Sequence, residues 1–269
     1  MAKESGFQVS GNAAECYQRY VAPNYTGPWA TALVDVADVI PGHRVLDAAC
    51  GTGVVARAAA RTAGEGGEVI GLDVNASMLA VAAEIPYDGP AALHWHEADV
   101  TDTKLDSESF DVVVSQQGLQ YFPDRLRALT ELRRILKPEG RLTMSVWKEH
   151  SAFTRALAEA AGRHISEEAG KQLRAQRTTP PTSEIHAELA AAGFRAPSID
   201  LQTREVRLPA PDEYVPQHVS AMPIAAGFAA LGPHAQRDMI RDVVEGLGES
   251  VVDGQIVFED AVYLVSGSR

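Results

Sequence analysis

Between residues 44 and 147 the chain alternates short, continuous apolar runs with stretches of helical period. "RVLDAA" (44–49), "EVIGLDV" (68–74), "LHWHEADV" (93–100), "FDVVVSQ" (110–116) and "RLTMSVW" (141–147) read as strands. Between them "GVVARAAARTA" (53–63) stops at Gly64, and "NASMLAVAAEI" (75–85) stops at Pro86. "DRLRALTELRRIL" (124–136) places Leu126, Leu129, Leu132 and Leu136 on one helical face. Pro138-Glu139-Gly140 then turns the chain into the fifth strand. Continuous apolar strands separated by helices imply a parallel sheet covered on both faces.

Beyond Trp147 the pattern is less regular. Residues 149–181 read as helical, and Thr182 or Ser183 is placed to cap a helix that ends at Gly193. "PSIDLQTREVRL" (197–208) and "IVFEDAVYLVSGS" (256–268) are strand-like, with the helix "HAQRDMIRDVVEGL" (234–247) between them. The stretches at about 149–181 and 209–232 are candidate cap insertions over the strand ends, where open α/β sheets bind ligands.

Composition narrows the function classes. Net charge is −12 across 269 residues, which argues against a nucleic-acid backbone as partner. Two cysteines, Cys16 and Cys50, make no disulfide framework, and no Cys/His spacing suggests a metal site. The polar start and the lack of a long apolar stretch predict a soluble, cytoplasmic protein with no membrane partner.

The candidate chemistry begins in "RVLDAACGTG". Gly51-x-Gly53-x-x-Ala56 fits a dinucleotide pattern, and Asp73 ends the second strand, where an acid can accept both hydroxyls of a ribose. Two acids point away from a dinucleotide. Asp47 would repel a pyrophosphate but would help to seat an amino group. Asp99 can accept from an adenine amino group while Val100 covers the ring. Cys50 reads as a small packed residue whose backbone matters.

With "DAACGTG", Asp73, Asp99 and "FDVVVSQQGLQYFPD…LRRILKPEGRLTMS", the sequence resembles the class I S-adenosylmethionine-dependent methyltransferases, in the ubiquinone/menaquinone-biosynthesis branch. The specific motifs cover roughly residues 40–150. The resemblance implies a Rossmann-like, doubly wound α/β fold with a mostly parallel seven-stranded sheet. It also implies a helical segment (1–40) closing over the cofactor, ahead of a methyltransferase domain (41–269). The expected cofactor is S-adenosyl-L-methionine, leaving as S-adenosyl-L-homocysteine. Cofactor contacts are expected from Asp47, Ala49, Cys50, Gly51, Gly53, Asp73, Val74, Met78, Asp99, Val100 and Gln116, with Tyr20 and Trp29 from the N-terminal aromatic cluster Tyr17, Tyr20, Tyr25 and Trp29. The same aromatics also suit a helix packing its stripe on the core. Ala49 departs from the family, which has glycine there.

Methyl transfer from a sulfonium is an in-line displacement that relies on positioning, so no triad is required, and none is found. His150, after the fifth strand, and His218, in the second cap stretch, are the base candidates. Gln117, Tyr121, Met222 and Phe228 are the expected substrate contacts, for a small apolar or aromatic molecule. The apolar cap around Met222, Ile224, Phe228 and Leu231 equally suits the face of a homodimer. Two other functions fit the glycine turn: an NAD-dependent oxidoreductase, and a protein that binds S-adenosylmethionine without methylating.

Overall fold

The computed structural model describes residues 12–269, and the polar start at 1–11, with its expected lack of a signal peptide, lies outside the described residues. The sheet comprises β1 (Arg44–Ala48), β2 (Glu68–Asp73), β3 (Ala92–Glu97), β4 (Phe110–Gln116), β5 (Leu136–Trp147), β6 (Arg195–Leu208), β7 (Val251–Val252) and β8 (Gln255–Ser268). Their order is β3-β2-β1-β4-β5-β8-β6, and β7 pairs only with β8. Strands β1 to β5 run parallel, while β8 is antiparallel to both neighbours. The mostly parallel, doubly wound expectation therefore holds, with the two-residue β7 added to the seven strands read from the sequence. Strand order reverses between β1 and β4, so a crevice opens beyond their carboxyl ends.

Helices cover both faces. On one lie α2 (Gly27–Val36), α3 (Val54–Ala63), α6 (Ala152–His164) and α11 (Pro233–Leu247); on the other lie α5 (Arg125–Ile135) and α8 (Thr182–Ala191). In α5, Leu129, Leu132 and Ile135 are fully buried, each stabilising by about 1.5–3 kcal/mol. Leu126 does not join them; it is 44% exposed. The buried face instead takes Ala128 and Ile135, because the stripe turns with the helix toward β5.

One further expectation is corrected. Thr182 and Ser183 do not cap α8 by side chain; Pro181 is the N-cap residue, and its carbonyl accepts from the Glu184 and Ile185 amides. The cap stretch at 209–232 forms two helices, α9 (Pro211–Ser220) and α10 (Ala225–Ala230), with Pro211 in the first turn, where a missing N–H costs nothing. The N-terminal segment holds a short α1 (Ala13–Cys16) and then a ten-residue π-helix, Tyr17–Thr26. Pro23 within it has no N–H and would crowd the carbonyl four residues back in an α-helix; the wider winding accommodates it. The π-helix closes with the Gly27 amide donating to Ala22, and a Cβ on Gly27 would lie 2.5 Å from that oxygen.

Candidate active site

Asp47 stands on β1 opposite Gly71 of β2 and Val114 of β4, in the middle of the sheet. It is 1% exposed, and neither carboxylate oxygen closes a hydrogen bond among the described residues. Burial pushes its pKa up to about 8; the Ala56 amide and the Arg57 charge offset this only in part. The chain then turns through Ala49 (φ 59°) and Gly51 (φ 54°), both left-handed. Gly51 takes this conformation freely, whereas Ala49 carries a steric penalty there.

Asp73, ending β2, holds this turn in place. Its Oδ2 accepts from the Gly51 amide at 2.7 Å and its Oδ1 from the Asn75 amide at 2.8 Å. Asn75 caps α4 (Ala76–Glu84) by accepting from the Ser77 and Met78 amides. Each Asp73 oxygen keeps a lone pair for a ligand hydroxyl. Asp99 is fixed in the same way: its Oδ1 accepts from the amide and hydroxyl of Thr101 at 2.7 and 2.8 Å.

A single cavity runs across these strand ends. Ala49, Gly51, Asp73, Val74, Met78, Asp99 and Val100 line one half, over β1 to β3. Gln116, Gln117, Tyr121, Trp147, His218 and Met222 line the other, over β4 and β5 and under the cap helices. The helical stretch 149–181 contributes Leu157, Leu173 and Arg177 to that wall. Twelve residues singled out in the sequence thus meet in one place: Ala49, Gly51, Asp73, Val74, Met78, Asp99, Val100, Gln116, Gln117, Tyr121, His218 and Met222.

Others do not reach it. Asp47 and Cys50 lie beneath the turn; burial raises the Cys50 thiol far above its ordinary range, so it stays protonated. Gly53 faces the other way: a Cβ there would lie 2.2 Å from the Trp95 ring, so this glycine makes room for packing. Tyr20 and Trp29 are absent from the wall, and Tyr17 and Tyr25 take their expected place. Trp29 is in the core with the Arg204 guanidinium 5.2 Å from its ring centre. His150 is held outside, its Nε2 at 3.0 Å from the Arg174 carbonyl. Phe228 packs into the core instead of the cavity.

His218 reaches the cavity but is a poor base at neutral pH. It sits edge-on to Phe153 (5.0 Å between ring centres) and Tyr25 (5.9 Å), and burial drives its pKa down to about 3. A group not singled out in advance dominates this wall. Arg177 makes a bidentate pair with Asp260 (2.6 and 3.0 Å), donates to the Tyr25 hydroxyl at 2.7 Å and lies 3.7 Å over the Trp147 ring. The Tyr25 oxygen, accepting from Arg177, is left to donate to Ser151 Oγ at 2.9 Å. Gln116 Nε2 donates to the Thr26 carbonyl at 2.9 Å, which fastens the π-helix over the β4 end. Nothing in the residues around Arg177 signals a partner 83 residues away in the sequence.

Among the described residues no cluster of His, Cys, Asp and Glu could hold a metal, and no helix is long and apolar enough to cross a membrane.

A parallel sheet with reversed order between β1 and β4, a glycine turn braced by an acid on β2, and one cavity across the strand ends define a class I methyltransferase fold. Residues 46–144 match the family described as a methyltransferase domain. It is similar to the ubiquinone/menaquinone biosynthesis C-methyltransferase UbiE of Paraburkholderia xenovorans, 35% identical over 150 residues, 53% of this chain and 62% of that protein. It is also similar to the nocamycin O-methyltransferase of Saccharothrix syringae, 35% identical over 119 residues, 44% of this chain and 42% of that protein. The chain thus spans about half the length of the curated relatives it matches. Among solved structures, phosphoethanolamine N-methyltransferase 2 of Haemonchus contortus shares the fold at a TM-score of 0.60 and 18% identity, over 95% of this chain and 56% of that one. The YcgJ protein of Bacillus subtilis does so at 0.55 and 18%, over 89% and 97%.

Proposed function

We propose that the protein is an S-adenosylmethionine-dependent methyltransferase acting on a small molecule. The observation that carries this reading is Asp73: a carboxylate that braces the Gly51 amide while lining the cavity beside Asp99. The residues fit the cofactor's chemistry. Asp73 has lone pairs left for ribose hydroxyls, Asp99 for an adenine amino group, and Val74, Met78 and Val100 give the ring apolar contact. The Asp47 carboxyl beneath the turn, raised to about 8 by burial, would take on negative charge when an ammonium group seated above it lowers that pKa. Gln116 has a free Oε1 on the methionine side.

When bound, S-adenosylmethionine supplies a methyl group already activated by a sulfonium. This chain's residues then hold the acceptor in line and keep water out. Tyr17 and Tyr25 of the π-helix, with Trp147, Leu157 and Met222, form a mostly apolar enclosure, which suits a displacement whose charge disperses. His218 is neutral and hydrogen-bonded only weakly, at 3.4 Å to Tyr214, so it shapes the pocket instead of taking a proton. The described part of segment 1–40, residues 12–40, serves as the cover and residues 41–269 as the catalytic domain, with the two cap stretches at 149–181 and 209–232 closing the acceptor side. A soluble, cytoplasmic setting accords with this reading, as does an acceptor such as the quinones and other small molecules of the relatives.

Calorimetric titration tests it. S-adenosylhomocysteine should bind and NAD should not; the opposite result would exclude the proposal. Asp73→Ala should weaken S-adenosylhomocysteine by about 1.5–3 kcal/mol, the scale of charge-assisted hydrogen bonds.

A further inference from the structure

Three glutamines meet where the turn after β4 approaches the end of α7 (Glu167–Ala175). Gln117 is 9% exposed, and both ends of its amide lack partners. Its backbone is left-handed (φ 55°) and pinned by the Gln117 amide donating to Ser145 at 2.9 Å, so its position is set by β5. Gln120 spends its Nε2 on the Gln176 carbonyl at 3.1 Å and keeps a free, buried Oε1. Gln176 keeps a free, buried Nε2. All three line the cavity. Together they offer two acceptors and two donors with no charge. Flipping the Gln117 amide exchanges its ends but leaves that count unchanged.

The surroundings add no free charge on this side. The Arg177 charge is paired with Asp260, and Tyr25 and the Glu149 carbonyl take two more of its N–H groups; the cavity's carboxylates, Asp73 and Asp99, stand at the ends of β2 and β3. Buried polar groups discriminate strongly when a ligand leaves them unpaired. A carboxylate or phosphate would set acceptors against two amide oxygens, with no cation to hold it. An ammonium would leave two amide donors unmatched.

We infer that this half of the cavity selects a neutral molecule whose polar end carries a donor and an acceptor side by side, a hydroxyl next to a carbonyl or an amide, read by Gln117, Gln120 and Gln176. The inference rests on the methyltransferase reading, which assigns the other half to the cofactor. The test therefore starts with the protein saturated with S-adenosylhomocysteine. Three probes on one skeleton are titrated: 2-naphthamide, 2-naphthoate and 2-naphthylmethylammonium. The carboxamide should bind at least about tenfold more tightly than either ion, and Gln117→Leu and Gln176→Leu should each remove that preference. Equal or tighter binding of an ion, no binding of the carboxamide, or a preference surviving in both folded variants would overturn the inference. A chain that fails to take S-adenosylhomocysteine would overturn the methyltransferase reading instead, so the two failures are distinct.

Discussion

Asp47 and His218 are both buried titratable groups, and folding displaces them in opposite directions. Asp47 is raised to about 8 from 3.8, so its contribution to stability is full below the unfolded value and is lost as pH rises through about 8. His218 is lowered to about 3 from 6.5, so its contribution is present above 6.5 and lost as pH falls toward 3. Asp47→Asn should therefore gain on the parent protein between pH 5 and pH 8.5 in urea unfolding; a constant difference would show that the carboxyl titrates normally. Ala49 tests a different term. Its left-handed backbone costs about 1–2 kcal/mol, against about 0.5–1 kcal/mol of extra chain entropy for glycine. Ala49→Gly should thus leave stability unchanged or raise it by up to about 1 kcal/mol, read from the shift in the urea midpoint. Clear destabilisation would mean that the alanine methyl packs productively against Gly118.

At the scale of elements, one buried ion pair ties α7 and the π-helix to the sheet. Asp260 on β8 pairs with Arg177 just after α7, and Arg177 in turn holds Tyr25 of the π-helix. Both ions are buried, at 5% and 3% exposure, so removing one strands the other. Asp260→Ala should cost about 3–5 kcal/mol in denaturant unfolding. Tyr25→Phe keeps the ring but removes the bond from the Arg177 guanidinium, and should cost about 1.5–3 kcal/mol, the scale of a charge-assisted hydrogen bond. The strands and helices between 44 and 147 were legible because their periods are local, and so were Asp73 and Asp99, which stand where strands end. The π-helix was not legible: a tyrosine stripe with an internal proline reads alike as a packed helix or a lid. Choosing Tyr17 and Tyr25 over Tyr20 and Trp29 requires knowing the winding. The Arg177–Asp260 pair was hidden for another reason, since its members are joined only through the sheet order.

For the whole molecule, the cavity draws its walls from every layer: strand ends below, the π-helix from the N-terminal side, and α6, α7 and α9 from the cap. A ligand bound there ties these parts together and stabilises only the folded chain. Hydrogen exchange with and without S-adenosylhomocysteine should show added protection concentrated in Tyr17–Thr26 and around Gln176, with little change in α5 and α8 on the far face. Uniform protection would mean that the cover does not respond to the cofactor side. The sheet order has one more consequence, for the chain as it is made. Strand β8 lies between β5 and β6, so β6 has no place in the sheet until residues 255–268 have been synthesised. Until then the ribosome carries a half-built sheet whose β5 edge is bare, together with a loose fourteen-residue strand, and Arg177 waits without its carboxylate partner. Synthesis of β8 is the moment at which the Arg177 wall of the cavity can first exist.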